Sequence, residues 1–221
     1  MNKLNPLNNS RKRLEILAVF LTALGKFIFM DFLDWRFPFV AGASLAWIVY
    51  ILYRWKVSPE LFKHWGFRKD NFKKVLKLVL PFGLFAIVTM IIVGAIRGTI
   101  NITWHIIPIL IAYPIWGTIQ QFLLIALLAG NLSELKKPKL SKPLIILISA
   151  VMFAGVHYPL WWLIGATFVL AIFYGFVYLK ERNIYVLGLF HGWLGGLFYY
   201  TVMNTDPFLD TFGKLLYGSG H

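Results

Sequence analysis

The chain has 221 residues, 59% hydrophobic and 14% charged, against ~45–50% and ~25% in soluble domains. These proportions exclude an ordinary soluble domain, a disordered chain and a collagen-like fibre, and they imply one integral-membrane domain over 1–221. Lys and Arg number 22 against 9 Asp and Glu, a net charge of +13. In a membrane protein such an excess is expected of cytoplasmic loops meeting anionic headgroups, so membrane lipids are the expected partners and nucleic acid is not. There is no cysteine, which removes disulfides, thiolate nucleophiles and Cys-ligated metals.

Seven apolar segments follow one another: 14–30, 37–53, 76–96, 104–130, 143–160, 161–179 and 184–204. Each approaches the ~20 residues that cross a bilayer. The fold class is therefore all-α, a polytopic bundle of about seven transmembrane helices. The first segment follows Arg11, Lys12 and Arg13 and contains Lys26. Without a small-residue cleavage site it reads as a retained span rather than a signal peptide. Between the second and third spans, residues 58–77 mix lysines with Leu61, Phe62, Trp65, Phe67 and Phe72, the pattern of an interfacial helix. Pro108 and Pro114 should kink the fourth span, which a membrane bundle tolerates when neighbours satisfy the freed backbone groups.

With the N-terminus cytoplasmic, the tail from Lys3 and the even-numbered connections carry eighteen Lys and Arg. The opposite side has Arg36, Arg97 and Lys214, together with Asp31, Asp34, Asp206 and Asp210. That asymmetry orients the chain with its N-terminus inside.

Polar side chains within hydrocarbon are costly and mark functional sites by default. No acid lies deep in a span. Lys26 and Arg97 lie near span ends, where they can snorkel. His64 and His221 fall in exposed segments, and His105 at the outer interface. Gln120 and Gln121 in the fourth span, His157 in the fifth and His191 in the seventh remain. At ~1.5 Å per residue their depths are roughly 16, 21 and 10 Å, one layer of a ~30 Å core. A structural polar network would also produce that layer. Around His191, Gly188, Gly192 and Gly196 recur every four residues, a ridge that admits another helix closely.

Phe153-x-x-x-His157, then His191 one span later, with Gln120-Gln121 about thirty residues upstream, resembles the CAAX-protease and bacteriocin-processing (Abi) family of intramembrane proteases. The resemblance spans 104–204, the motif-bearing core, and extends to Trp65-Gly66-Phe67-Arg68. Members carry Glu-Glu-x-x-x-Arg, Phe-x-x-x-His and His-x-x-x-Asn or Asp on separate helices. Their Glu pair and histidines activate a water against a peptide bond. Here Gln120 and Gln121 occupy the Glu positions, Ile125 the Arg position and Gly195 the Asn position.

The resemblance implies a peptidase of membrane-anchored or lipid-modified peptides. Gln120, Gln121, His157 and His191 would be catalytic, and Phe153 and Gly195 would bind substrate. A glutamine amide cannot titrate, although it can hold a water, which leaves the histidines as the only bases. Two histidines without a carboxylate form a thin metal-ligand set, so no metal or other cofactor is expected. The missing carboxylates equally fit a catalytically inactive relative that binds a membrane partner or confers immunity. A small permease is a third class, disfavoured by the lack of charged relays and repeats. The expected location is a prokaryotic plasma membrane.

Overall fold

The computed structural model describes residues 8–218; Lys3 and His221 lie outside them. The described chain is helical with no strand. In order it runs α1 (Asn9–Gly25), continued by a π-helical segment Lys26–Phe32; α2 (Arg36–Val57); α3 (Pro59–His64); and α4 (Phe72–Arg97). Then come α5 (Ile106–Gln121), continued by a π-helical segment Phe122–Gly130, and the short α6 (Asn131–Glu134). The chain finishes with α7 (Lys142–Gly155), α8 (Trp161–Lys180), α9 (Ile184–Phe198) with a π-helical turn Tyr199–Met203, and α10 (Pro207–Tyr217).

A helix stands at each of the seven apolar segments. Among the described residues, five stretches are long and apolar enough to cross a membrane: Arg36–Val57, Phe72–Arg97, Ile106–Glu134, Trp161–Lys180 and Ile184–Met203. The protein is an integral membrane protein. α7 is apolar but shorter, with 14 residues, because the chain turns after Gly155 and not at 160. Pro143 fits in its first turn, where a missing N–H costs nothing.

α9 is the most enclosed long helix and packs chiefly on α5. The glycine ridge explains how. A Cβ at Gly188 would lie 2.2 Å from Thr118 Oγ1, and one at Gly192 would lie 2.3 Å from the Pro114 nitrogen. Gly117 returns the fit from α5, where a Cβ would meet the Gly188 carbonyl oxygen at 2.7 Å. Direct backbone contact of this kind needs small residues on both sides. Asn183 starts α9 by accepting a hydrogen bond from the Val186 N–H at 3.0 Å. Its amide also donates to Asn71 Oδ1 at 2.7 Å, which ties the α8–α9 turn to the start of α4.

Side chains of the segment 58–77 are built into the bundle. Leu61 and Trp65 are buried, Trp65 packs edge-on against Phe122, and its carbonyl accepts from Tyr178 at 2.9 Å. Gly66 adopts φ +96° to pass close to Asn183. The aromatic residues of this stretch therefore close the lysine-rich end of the bundle. His64 is not exposed either. Its Nε2 meets Glu134 Oε1 at 2.9 Å, and Arg182 and Lys12 converge on the same carboxylate. Glu15, near the start of the first apolar segment, is buried and accepts from Tyr50 and from Asn131 Nδ2.

At the far end, His105 is buried within the protein. Its Nδ1 donates to Asp206 Oδ2 at 2.7 Å, while Asp206 caps α10.

Candidate functional site

α5 delivers Gln120 and Gln121 at its last turn, immediately before the helix widens into π geometry at Phe122. Such widenings are rare and often accompany functional sites. α9 brings His191 against them between Gly188 and Gly192. The close approach of the two helices is what lets one imidazole reach two consecutive glutamines.

Gln121 Nε2 donates to His191 Nδ1 at 2.8 Å, and His191 Nε2 stands 2.9 Å from Gln120 Oε1. An amide nitrogen only donates, so Nδ1 accepts and the ring proton sits on Nε2, donating to Gln120. Both nitrogens of His191 are thereby engaged in a neutral ring. Gln121 is fully buried, and its Oε1 has no partner among the described residues. Gln120 is partly exposed, and with its carbonyl held by His191 its NH₂ group is the end left to act.

His157 stands in the turn after α7, past the helix end. Its Nδ1 donates to the Phe153 carbonyl at 2.7 Å, which leaves Nε2 as the nitrogen carrying a lone pair. The Phe153 ring lies between the histidines, 4.9 Å from His157 and 5.4 Å from His191 between centroids. Lys26 opens the π-helical segment that continues α1. Its ammonium donates to Asp31 Oδ2 at 2.6 Å and to the Tyr158 carbonyl at 3.1 Å, fastening the turn that bears His157.

Gln120, His157 and His191 line one cavity of about 670 Å³, with α4 and α8 as its walls and α9 at its base. Its lining is mostly apolar: Phe82, Phe85, Met90, Trp116, Trp161 and Leu170 are among the contributors. Among the described residues, no carboxylate lines it. Gly195 also lines it, and a Cβ there would meet nothing within 4 Å. Phe153 and Gln121 lie behind this surface rather than on it.

Sequence reading placed the four polar residues in one layer. It missed Lys26, which looked like a span-end lysine, and Gly117, which lies outside the four-residue repeat. Among the described residues, no group of three His, Asp or Glu side chains is arranged to hold a metal. Ile125, at the family's Arg position, is fully buried in the apolar core.

Residues 102–196 match the family model described as Type II CAAX prenyl endopeptidase Rce1-like. The family resemblance is borne out over those residues. No curated protein and no solved structure matches the chain.

Proposed function

We propose that this protein is an intramembrane endopeptidase that hydrolyses peptide bonds of membrane-anchored or lipid-modified substrates, with His157 as the base. The observation that carries this reading is the convergence of Gln120, His157 and His191 on one apolar cavity, within the stretch that matches the endopeptidase family. An apolar cavity walled by lipid-exposed helices suits a substrate bearing a hydrocarbon chain.

In this mechanism His157 Nε2 takes a proton from water, and the resulting hydroxide adds to the scissile carbonyl carbon. The Gln120 NH₂ group, fixed through its carbonyl by His191, donates to the oxyanion. Collapse of the adduct breaks the C–N bond as His157 returns the proton to the leaving amine. Gln121 acts behind this surface by holding the His191 proton on Nε2. Phe153 spaces the two rings, and Gly195 leaves room for substrate. The lysine-rich end faces the cytoplasm, and a prokaryotic plasma membrane is the proposed location.

One observation favours a second reading, an inactive relative that captures such substrates. The cavity lining holds no carboxylate, and His191 has no nitrogen to spare. Purified protein incubated with a membrane-peptide library and read by mass spectrometry separates the two. Cleavage that is lost in His157→Ala supports the peptidase. Retained binding with no products, under conditions where Gln120→Glu, Gln121→Glu gains cleavage, supports the capture reading.

A further inference from the structure

The far end of the bundle holds a second cavity, of about 830 Å³, which the peptidase reading does not use. It lies between the α1–α2 connection, His105 and α10. Its character differs from that of the first. Arg36, Asp34 and Asp210 line it with His105, above an apolar floor of Leu160, Met203 and Leu209.

Arg36 and Asp210 form no ion pair with each other, and neither makes a side-chain hydrogen bond among the described residues. Arg36 and Asp210 thus face one space and feel each other's charge without a hydrogen bond between them. Partial desolvation in the cavity pushes the Asp210 carboxyl above its ordinary range, with the Arg36 charge opposing that rise. A bound cation would relieve the cost. His105 is more than nine-tenths buried and gives its Nδ1 proton to Asp206, so the nitrogen left for a ligand is Nε2.

Depth identifies the ligand class. Trp35 and Trp104 immediately precede Arg36 and His105 and are largely exposed, as are Trp161 and Trp162 at the same end. A ring of exposed tryptophans marks the headgroup layer. α10 lies in that layer and exposes Leu209 and Leu216, as an interfacial amphipathic helix does. A ligand resident there has an anionic and a cationic group a few bonds apart and hydrocarbon attached.

We infer that this cavity binds the headgroup of a zwitterionic phospholipid of the phosphoethanolamine type, with Arg36 on the phosphate and Asp210 on the ammonium. The acyl chains run over Leu160 and Met203. Tyr199 lines both cavities, so the lipid sits beside the candidate catalytic space. The inference does not depend on the peptidase reading.

The test is native mass spectrometry of the full-length protein, delipidated in detergent and offered phosphatidylethanolamine or phosphatidylglycerol with identical acyl chains. Wild type should retain phosphatidylethanolamine roughly tenfold better, the worth of one charge-assisted hydrogen bond. Arg36→Ala should lower that retention by a similar factor. Asp210→Asn should lower it while sparing phosphatidylglycerol. Glycerophosphoethanolamine, the soluble headgroup, should compete.

Equal retention of the two lipids by wild type would overturn the proposal, whatever the variants do. Unchanged retention in both variants would do the same. Competition by a zwitterionic tripeptide but not by the soluble headgroup would reassign the cavity to peptide. Both side chains are exposed, and a thermal melt in the same detergent confirms that each variant is folded.

Discussion

Trp193 donates its indole N–H to the Leu110 carbonyl oxygen at 3.1 Å. That oxygen lies four residues before Pro114, whose ring nitrogen cannot bond it. A side chain on α9 thus supplies the hydrogen bond that α5 lacks, as a proline inside a membrane helix requires. Trp193→Phe should lower stability by about 1–2 kcal/mol, read as thermal denaturation in detergent. In a Pro114→Ala background the backbone N–H returns, and the same substitution should cost clearly less. Equal costs in the two backgrounds would show that Trp193 acts only through packing.

The glycines of α9 make a sharper forecast, because Gly192 and Gly195 differ in what they touch. Gly192→Ala would drive a methyl into the Pro114 backbone and should cost about 1–3 kcal/mol or more, the penalty of overpacking where neither side can yield. Gly195→Ala points into open cavity and should leave the melting temperature within a degree or two. Similar losses at both positions would mean that helix propensity dominates, not contact.

These comparisons show what the residue string encodes. Hydropathy located the helices because burial in lipid demands long apolar runs, and the spacing of Gly188, Gly192 and Gly196 announced a close helix contact. The partner surface was not legible, since Gly117 is a single glycine in another helix. Depth arithmetic put Gln120, His157 and His191 in one layer but could not rank them. The cavity-facing role of Gln120 and the buried role of Gln121 depend on rotation about α5, which the π-helical widening after Gln121 alters. Trp65 and His64 misled because a basic aromatic stretch reads alike on a membrane surface and folded into a bundle end.

Lys26 offers a test of the site from outside the family-matching stretch. Its bond to the Tyr158 carbonyl holds the turn next to His157. Lys26→Met keeps the stem and removes the donor. Under the peptidase reading, kcat should fall by about tenfold for a misplaced base, with KM nearly unchanged. Lys26→Arg, which can still donate, should recover part of the loss. A fall in Lys26→Arg as deep as that in Lys26→Met would place the lysine's role in packing.

Acid should loosen the far end through Asp206. Burial pushes its carboxyl up, but bonds from His105, Thr103 and Tyr200 outweigh that, and the net shift is downward. A carboxylate held below its unfolded value of 3.8 contributes stability above that pH. The contribution is lost as pH falls through the lower folded value. Amide exchange in α10 should therefore accelerate below about pH 4. Asp206→Asn should flatten this dependence, leaving Asp210, whose raised value has the opposite sign. An unchanged acid profile in Asp206→Asn would remove Asp206 as its source.

The two glutamines should separate by the kind of damage they cause. Under the peptidase reading Gln120 offers its NH₂ group to the cavity, so Gln120→Ala should lower kcat by about 10²–10³-fold, as loss of an oxyanion donor does. KM and stability should change little, because the donor matters only as charge develops on the oxygen. Gln121 lies buried behind the cavity surface. Gln121→Leu leaves the buried Nδ1 of His191 without a donor and should cost about 1–3 kcal/mol of stability. Its effect on kcat should be smaller, roughly tenfold, and should come from a freed imidazole that no longer fixes Gln120. Steady-state kinetics beside thermal melts measures both. If Gln121→Leu proved the more damaging to kcat at unchanged stability, Gln121 and not Gln120 would be the group at the reacting carbonyl.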